Sequence, residues 1–126
     1  MSDPHAEETR ERWGDTDAYR QSRERTARYT AEDIELAKKD AAAAVDQFLE
    51  AMDAGLAADS AEAAQAAEAH RTAISTWWYD CSLEMQVGLA GMYLADERFR
   101  AHYDSQRPGL AQYVHDAILA NAIARA

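Results

Sequence analysis

Ser82-Leu83-Glu84-Met85-Gln86-Val87-Gly88-Leu89-Ala90-Gly91-Met92-Tyr93-Leu94 is the stretch that decides the fold class. Ser82 is a good helix N-cap, because its hydroxyl can accept from a main-chain N–H of the first turn. Behind it, Leu83, Met85, Val87, Leu89, Ala90, Met92, Tyr93 and Leu94 leave almost no polar face. A helix that is apolar all round belongs at the centre of a helical domain. Gly88 and Gly91 interrupt it, each at a cost of up to about 1 kcal/mol relative to alanine. Glycine there permits close approach, either by a crossing helix, the commoner reason, or by a bulky ligand.

Working outward, the flanking segments also read as helices. Thr30 caps a run with Glu32 and Asp33 in its first turn, where acids suit the helix dipole. Its apolar positions Ile34, Ala41, Val45, Phe48, Leu49 and Met52 recur at helical spacing until Gly55 stops it. Ser60 caps the next, with a stripe of Ala63, Ala67, His70, Ile74, Trp77, Trp78 and Cys81 that starts small and ends aromatic. After the central helix comes a short segment near Asp96–Tyr103. A last helix starts at Pro108, which suits a first helical turn, and carries Leu110, Tyr113, Val114, Ala117 and Ile118. From Asp15 to Tyr29 the apolar stripe is thin, and a helix of that length is marginal without a buried face. Residues 1–29 are therefore expected to form a weakly docked N-terminal lid on a core of residues 30–126.

Composition agrees. Alanine fills 29 of the 126 positions, whereas Leu, Ile, Val and Phe together fill 17, which favours closely packed helices over a sheet. The length suits one domain with its own core. A formal charge of −10 opposes general nucleic-acid binding, which needs cations to displace phosphate counterions. The ten acids against Lys38 and Lys39 between residues 32 and 68 read as a solvated face. One cysteine makes neither an internal disulfide nor a Cys-rich zinc site. Neither a secretory signal nor the roughly 20 apolar residues of a membrane span is present, so the expectation is a cytoplasmic domain without membrane contact.

Chemistry concentrates at Ile74–Met85, where Trp77, Trp78, Tyr79, Cys81 and Met85 meet at a helix junction. Such a surface either plugs a core, the commoner outcome, or binds a flat or irregular apolar ligand. His70 reads first as a satisfied core histidine and second as a haem or metal ligand. Neither an HExxH nor a Glu three residues before any histidine occurs, so the diiron-bundle pattern is missing. Cys81 and His70, if on one continuous helix, are about 16 Å apart in rise, too far for a catalytic pair. Phosphate-loop and nucleophile-elbow signatures are absent as well. Catalytic, metal and cofactor sites are therefore expected to be none.

Several strings then resemble, in order, the TipAS antibiotic-recognition domain family. They are Glu11-Arg12-Trp13-Gly14-Asp15-Thr16-Asp17-Ala18-Tyr19-Arg20-Gln21-Ser22, Met52-Asp53-Ala54-Gly55, Ala69-His70-Arg71, Asp80-Cys81 with Glu84-Met85, Met92–Phe99, Pro108-Gly109-Leu110-Ala111 and Asp116–Ala122. The resemblance implies an all-α, globin-like domain that binds thiopeptides and other bulky antibiotics in a cleft. It also implies a stand-alone form without the MerR-type DNA-binding segment found in several members. In thiopeptide-capturing members a cysteine that can add to a dehydroalanine lies seven residues after the one matching Cys81. Gly88 stands there in this chain, so the resemblance implies a reversible complex.

The resulting expectation is non-catalytic sequestration of an antibiotic. Trp77, Trp78, Tyr79, Met85 and Met92 would supply apolar surface, Gly88 and Gly91 would allow close approach, and Trp13 and Tyr19 would close over the drug. His70 and Cys81 complete the candidate set. The rival reading is a helical protein-interaction or dimerisation module, and a third is a haem binder using His70.

Overall fold

The protein was analysed as a computed structural model that describes residues 17–126. Six helices follow in order, with no strand among the described residues: α1 Asp17–Thr26, α2 Ala31–Asp53, α3 Ala61–Trp77, α4 Leu83–Ala95, α5 Glu97–Asp104 and α6 Leu110–Arg125. The all-α reading holds.

Local chemistry sets the helix starts. Thr30 Oγ1 accepts from Asp33 N at 3.1 Å while Thr30 N donates to the Asp33 carboxylate at 3.0 Å, a reciprocal capping box. Ser60 and Ser82 accept from the main-chain N–H of Ala63 and Met85, both at 3.1 Å. Asp96 separates α4 from α5: its extended backbone ends one helix and its carboxylate caps the next, accepting from Arg98 N at 2.9 Å. Gly55, at φ 71°, ends α2 in the left-handed conformation.

Three boundaries differ from the sequence expectation. The Asp15–Tyr29 helix ends at Thr26, with Ala27–Thr30 in a turn and the start of α2's cap. The stripe expected to run to Cys81 stops at Trp77, and residues 78–82 form a corner, so His70 and Cys81 do not share a helix. The last helix starts at Leu110, because Arg107–Leu110 first makes a type II turn. Pro108 occupies its second position, Gly109 follows at φ 87° and ψ −2°, and Leu110 N donates to Arg107 O at 3.1 Å.

α3 returns along α2, so that Asp40 in the first half of α2 meets Trp77 at the end of α3. The faces that meet are small: Ala37, Ala44 and Ala51 beside Phe48 on α2, and Ala63, Ala66 and Ala67 on α3, are all buried. Alanine at these positions lets the two backbones approach closely, which is where much of the composition bias goes.

The expected centre of the domain is displaced. α6, not α4, packs against α2, α3, α4 and α5, burying Leu110, Ala111, Val114, Ala117 and Ile118. α4 buries only Gln86, Ala90 and Tyr93. It therefore has more apolar surface than the core uses, and that surplus faces the cavities described next.

Candidate functional site

Two adjoining chambers open along α4. The first, about 670 Å³, lies among α2, α3, α4 and α5. Ala37, Ala41 and Val45 come from α2, His70, Ala73 and Ile74 from α3, and Trp78 and Tyr79 from the corner. Leu89, Met92 and Tyr93 of α4 and Phe99, His102 and Tyr103 of α5 extend this largely apolar wall, which Lys38 and Asp46 of α2 and Gln106 also border. The second, about 490 Å³, lies between α1 and α4 and is walled by Ala18, Tyr19, Ser22, Tyr79, Glu84, Met85, Gly88, Leu89 and Met92. Tyr79, Leu89 and Met92 border both and form the partition. These volumes fall in the range of small-molecule sites, about 300–1,000 Å³.

Edge-on and tilted aromatic contacts build one side of the first chamber. The Tyr93 ring lies 5.4 Å from those of Phe99 and Tyr103 and 5.8 Å from that of His70. Behind it sits a polar cluster that sequence reasoning missed. Gln86, fully buried on α4, donates from Nε2 to Ala67 O at 2.8 Å and sits 2.9 Å from His70 Nδ1. An amide nitrogen can only donate, and the reverse amide orientation would oppose two acceptors at Ala67. His70 Nδ1 therefore accepts, and its Nε2–H points to the Tyr93 hydroxyl 3.3 Å away. Burial lowers the His70 pKa to about 4, so the ring is neutral at pH 7. Both ring nitrogens are engaged, which makes His70 a satisfied core histidine whose ring also borders the first chamber. In the sequence Gln86 looks like one polar residue in an apolar run; only its pairing with His70 explains it.

The other candidates separate into three groups. Tyr19, Met85 and Gly88 face the second chamber, Trp78 the first, and Tyr79 and Met92 both. Trp77 is half-buried outside both linings, its indole N–H donating to Asp40 at 2.6 Å. Cys81 is buried within the corner, and burial pushes its thiol up to about 11 despite the opposing influence of Arg71. Burial likewise raises Tyr79 to about 12, with Cys81 contributing. Gly91 is exposed and borders neither chamber. A Cβ at Gly88 or Gly91 would meet nothing within 4 Å, so neither glycine marks a helix crossing. Trp13 lies outside the described residues. Tyr93, Phe99 and Tyr103 carry no local signal that marks them as site residues, because α4 and α5 bring them to one wall only through the break at Asp96.

Among the described residues, no group of three His, Cys, Asp or Glu side chains could hold a metal ion. No helix of the described residues is long and apolar enough to cross a membrane.

An all-helical ligand-binding domain, with surplus apolar surface turned into an aromatic cleft, is the class that fold and cavities define. The chain belongs to the TipAS antibiotic-recognition domain family, whose model matches residues 5–121. It is 52% identical over 121 residues to the HTH-type transcriptional activator TipA of Streptomyces coelicolor, an alignment covering 96% of this chain and 48% of that protein. The chain thus spans about half the length of that curated relative. Among solved structures, the complex of nosiheptide, a thiopeptide antibiotic, with TipAS from Streptomyces lividans superposes with a TM-score of 0.89. The two are 51% identical, and the match covers 98% of this chain and 88% of that one. The antibiotic binding domain of a TipA-class multidrug resistance transcriptional regulator superposes at 0.65 with 46% identity, covering 71% of this chain and 95% of that one.

Proposed function

We propose that this domain binds bulky, largely apolar antibiotics, thiopeptides foremost, in the two-chambered cleft and sequesters them without turnover. The observation that carries this reading is the apolar surplus of α4. Met85, Leu89 and Met92, with Trp78 and Tyr79, form a continuous wall in a chain half identical to a domain solved with nosiheptide. Burying such a wall against an apolar ligand contributes roughly 25 cal/mol per Å² of surface removed from water. Trp78, Tyr79, Met92 and the second-chamber residues Tyr19, Met85 and Gly88 are the proposed contacts, with residues 17–29 as the described part of the proposed lid over the second chamber. Trp77, Cys81 and Gly91 are not proposed to touch the ligand.

The groups beside the cleft are poorly suited to turnover. His70 has both nitrogens engaged and a pKa of about 4, which suits a packed ring better than a general base at neutral pH. Cys81 is held largely as the thiol, the unreactive form. The inward placement of Trp78 favours the ligand-binding reading over a dimerisation module. The test is titration with nosiheptide, read by tryptophan fluorescence and thermal shift. Saturable one-to-one binding is expected; unchanged fluorescence and melting temperature at saturating drug would overturn the reading.

A further inference from the structure

Buried donors and acceptors are normally paired, and a run of them across α3, α4 and α5 does not balance. It starts at Gln86, whose Nε2 serves both Ala67 O and His70 Nδ1. The amide's other end, Oε1, is buried without a partner. Gln86 is thus held by its donor end, which makes His70 Nδ1 an acceptor. Nε2–H must then donate, and the Tyr93 hydroxyl oxygen receives it at 3.3 Å. The Tyr93 hydroxyl also hydrogen-bonds with that of Tyr103, and the two rings meet edge-on with centroids 5.4 Å apart. Burial raises both phenols above their ordinary range, so each keeps its proton at pH 7. Three protons, on His70 Nε2, Tyr93 and Tyr103, therefore meet two phenol oxygens. His70 takes the Tyr93 oxygen, the Tyr93 proton passes to the Tyr103 oxygen, and the Tyr103 proton is left over. Among the described residues no protein acceptor takes it, and both rings border the first chamber.

We propose that the first chamber holds its ligand by one hydrogen-bond acceptor, an amide carbonyl or a ring nitrogen on an otherwise apolar body, seated against the Tyr103 hydroxyl. Tyr103 determines the specificity, and Gln86 and His70 are positioning residues that set the direction of its proton. With the opposite His70 tautomer, Nε2 would accept from Tyr93 and Tyr93 from Tyr103. The chamber would then face a hydroxyl oxygen with no proton to give, which suits a donor instead. The preference is thus set by an amide that does not itself border the chamber. A ligand without an acceptor leaves a buried hydroxyl unpaired when it displaces water, and a site built to hydrogen-bond rejects such a ligand. None of the four residues comes from α1 or α2, so the preference does not depend on how those helices close the cleft. That the occupant is an antibiotic rests on the reading above; the acceptor preference does not.

The experiment titrates the whole chain with quinoline, naphthalene and indole, followed by the magnetic resonance signals of His70, Tyr93 and Tyr103. Quinoline carries a ring-nitrogen acceptor, indole a donor and naphthalene neither. Comparing ratios of dissociation constants between wild type and variant cancels the unequal hydrophobicity of the probes. Tyr103→Phe should weaken quinoline roughly tenfold relative to naphthalene, the loss of one hydrogen bond, and leave the ratio of indole to naphthalene unchanged. In wild type the His70 nitrogen signals should show Nε2 protonated and Nδ1 bare. Gln86→Met, which frees Nδ1, should mix the two tautomers and shrink the preference for quinoline. A wild-type His70 protonated at Nδ1, an unchanged quinoline-to-naphthalene ratio in Tyr103→Phe, or no probe shifting Tyr103 would each overturn the proposal. A wild-type tautomer in Gln86→Met would remove Gln86 as the residue that sets the direction; if that variant does not fold, the wild-type tautomer and Tyr103→Phe still decide. Nosiheptide added to the same samples separates the two readings. A chain that ignores nosiheptide yet prefers quinoline loses the antibiotic assignment and keeps the acceptor site, and the converse loses only the acceptor site.

Discussion

Acidification should destabilise this domain in part through a buried side chain, His70. Its folded pKa of about 4 lies below the ordinary value of 6.5, because burial disfavours the imidazolium. Protonation would also turn Nδ1 from an acceptor into a donor facing the Gln86 amide, 2.9 Å away. The unfolded chain takes up the proton more readily than the folded one. The stability contributed by a neutral His70 is therefore complete above pH 6.5 and is lost as pH falls from there towards about 4, below which the loss levels off. The full shift is worth about 3 kcal/mol, and the part lost between pH 7 and pH 5 about 2 kcal/mol. Urea unfolding of wild type and His70→Gln at those two pH values isolates the effect. The variant starts less stable but has no ring to protonate, and every other titrating group cancels in the comparison. Wild type should lose about 2 kcal/mol more than the variant over the interval. Equal losses, or an imidazole nitrogen resonance showing His70 protonated near pH 6.5 in the folded protein, would refute the argument.

Trp78→Ala should weaken nosiheptide binding by about 2 kcal/mol, roughly thirtyfold, whereas Trp77→Ala, outside both linings, should change affinity much less; calorimetric titration showing the reverse order would move the site. Gly88→Ala should raise stability by about 0.5–1 kcal/mol, since a Cβ there meets nothing within 4 Å, while Gly109→Ala, at φ 87°, should lower it by about 1 kcal/mol or more; melting temperatures moving the opposite way would contradict the backbone assignment. Wild type with a dehydroalanine-containing thiopeptide should show no adduct in denaturing mass spectrometry, and Gly88→Cys, which sets a thiol on the second chamber, should form one slowly. Cys81 should resist thiol alkylation at pH 7 until urea unfolds the chain, and rapid labelling of the folded protein would show that its burial is overstated. Amide exchange in residues 17–26 should slow on drug binding more than in α4, and equal change in both would remove the lid.

The helices were legible because their signals are local. Thr30, Ser60 and Ser82 cap helices wherever the chain goes next, and Gly55 needs no tertiary partner to turn left-handed. Alanine excess and the scarcity of β-branched residues decided the all-α class for the same reason: propensity and period act within a few residues. Boundaries failed where two local rules competed. Pro108 satisfies both a helix start and a type II turn, and the Gly109 conformation selected the turn.

What the sequence left open was which apolar face meets which. An apolar run such as Leu83–Leu94 carries no mark distinguishing the side pressed on α6 from the side left for a ligand; that depends on where α6 and α1 arrive in three dimensions. The same holds for the buried Gln86–His70–Tyr93 chain, whose members lie on two helices and become partners only when α3 and α4 pack. Trp77 and Trp78, neighbours in sequence, parted because α3 ends between them and its corner turns one towards Asp40 and the other towards the first chamber. Sequence alone determined the helices and the chemistry of their faces, because caps and period are short-range. The division of that apolar surface between core and cleft was decided by tertiary packing, because burial is a property of what arrives from elsewhere in the chain.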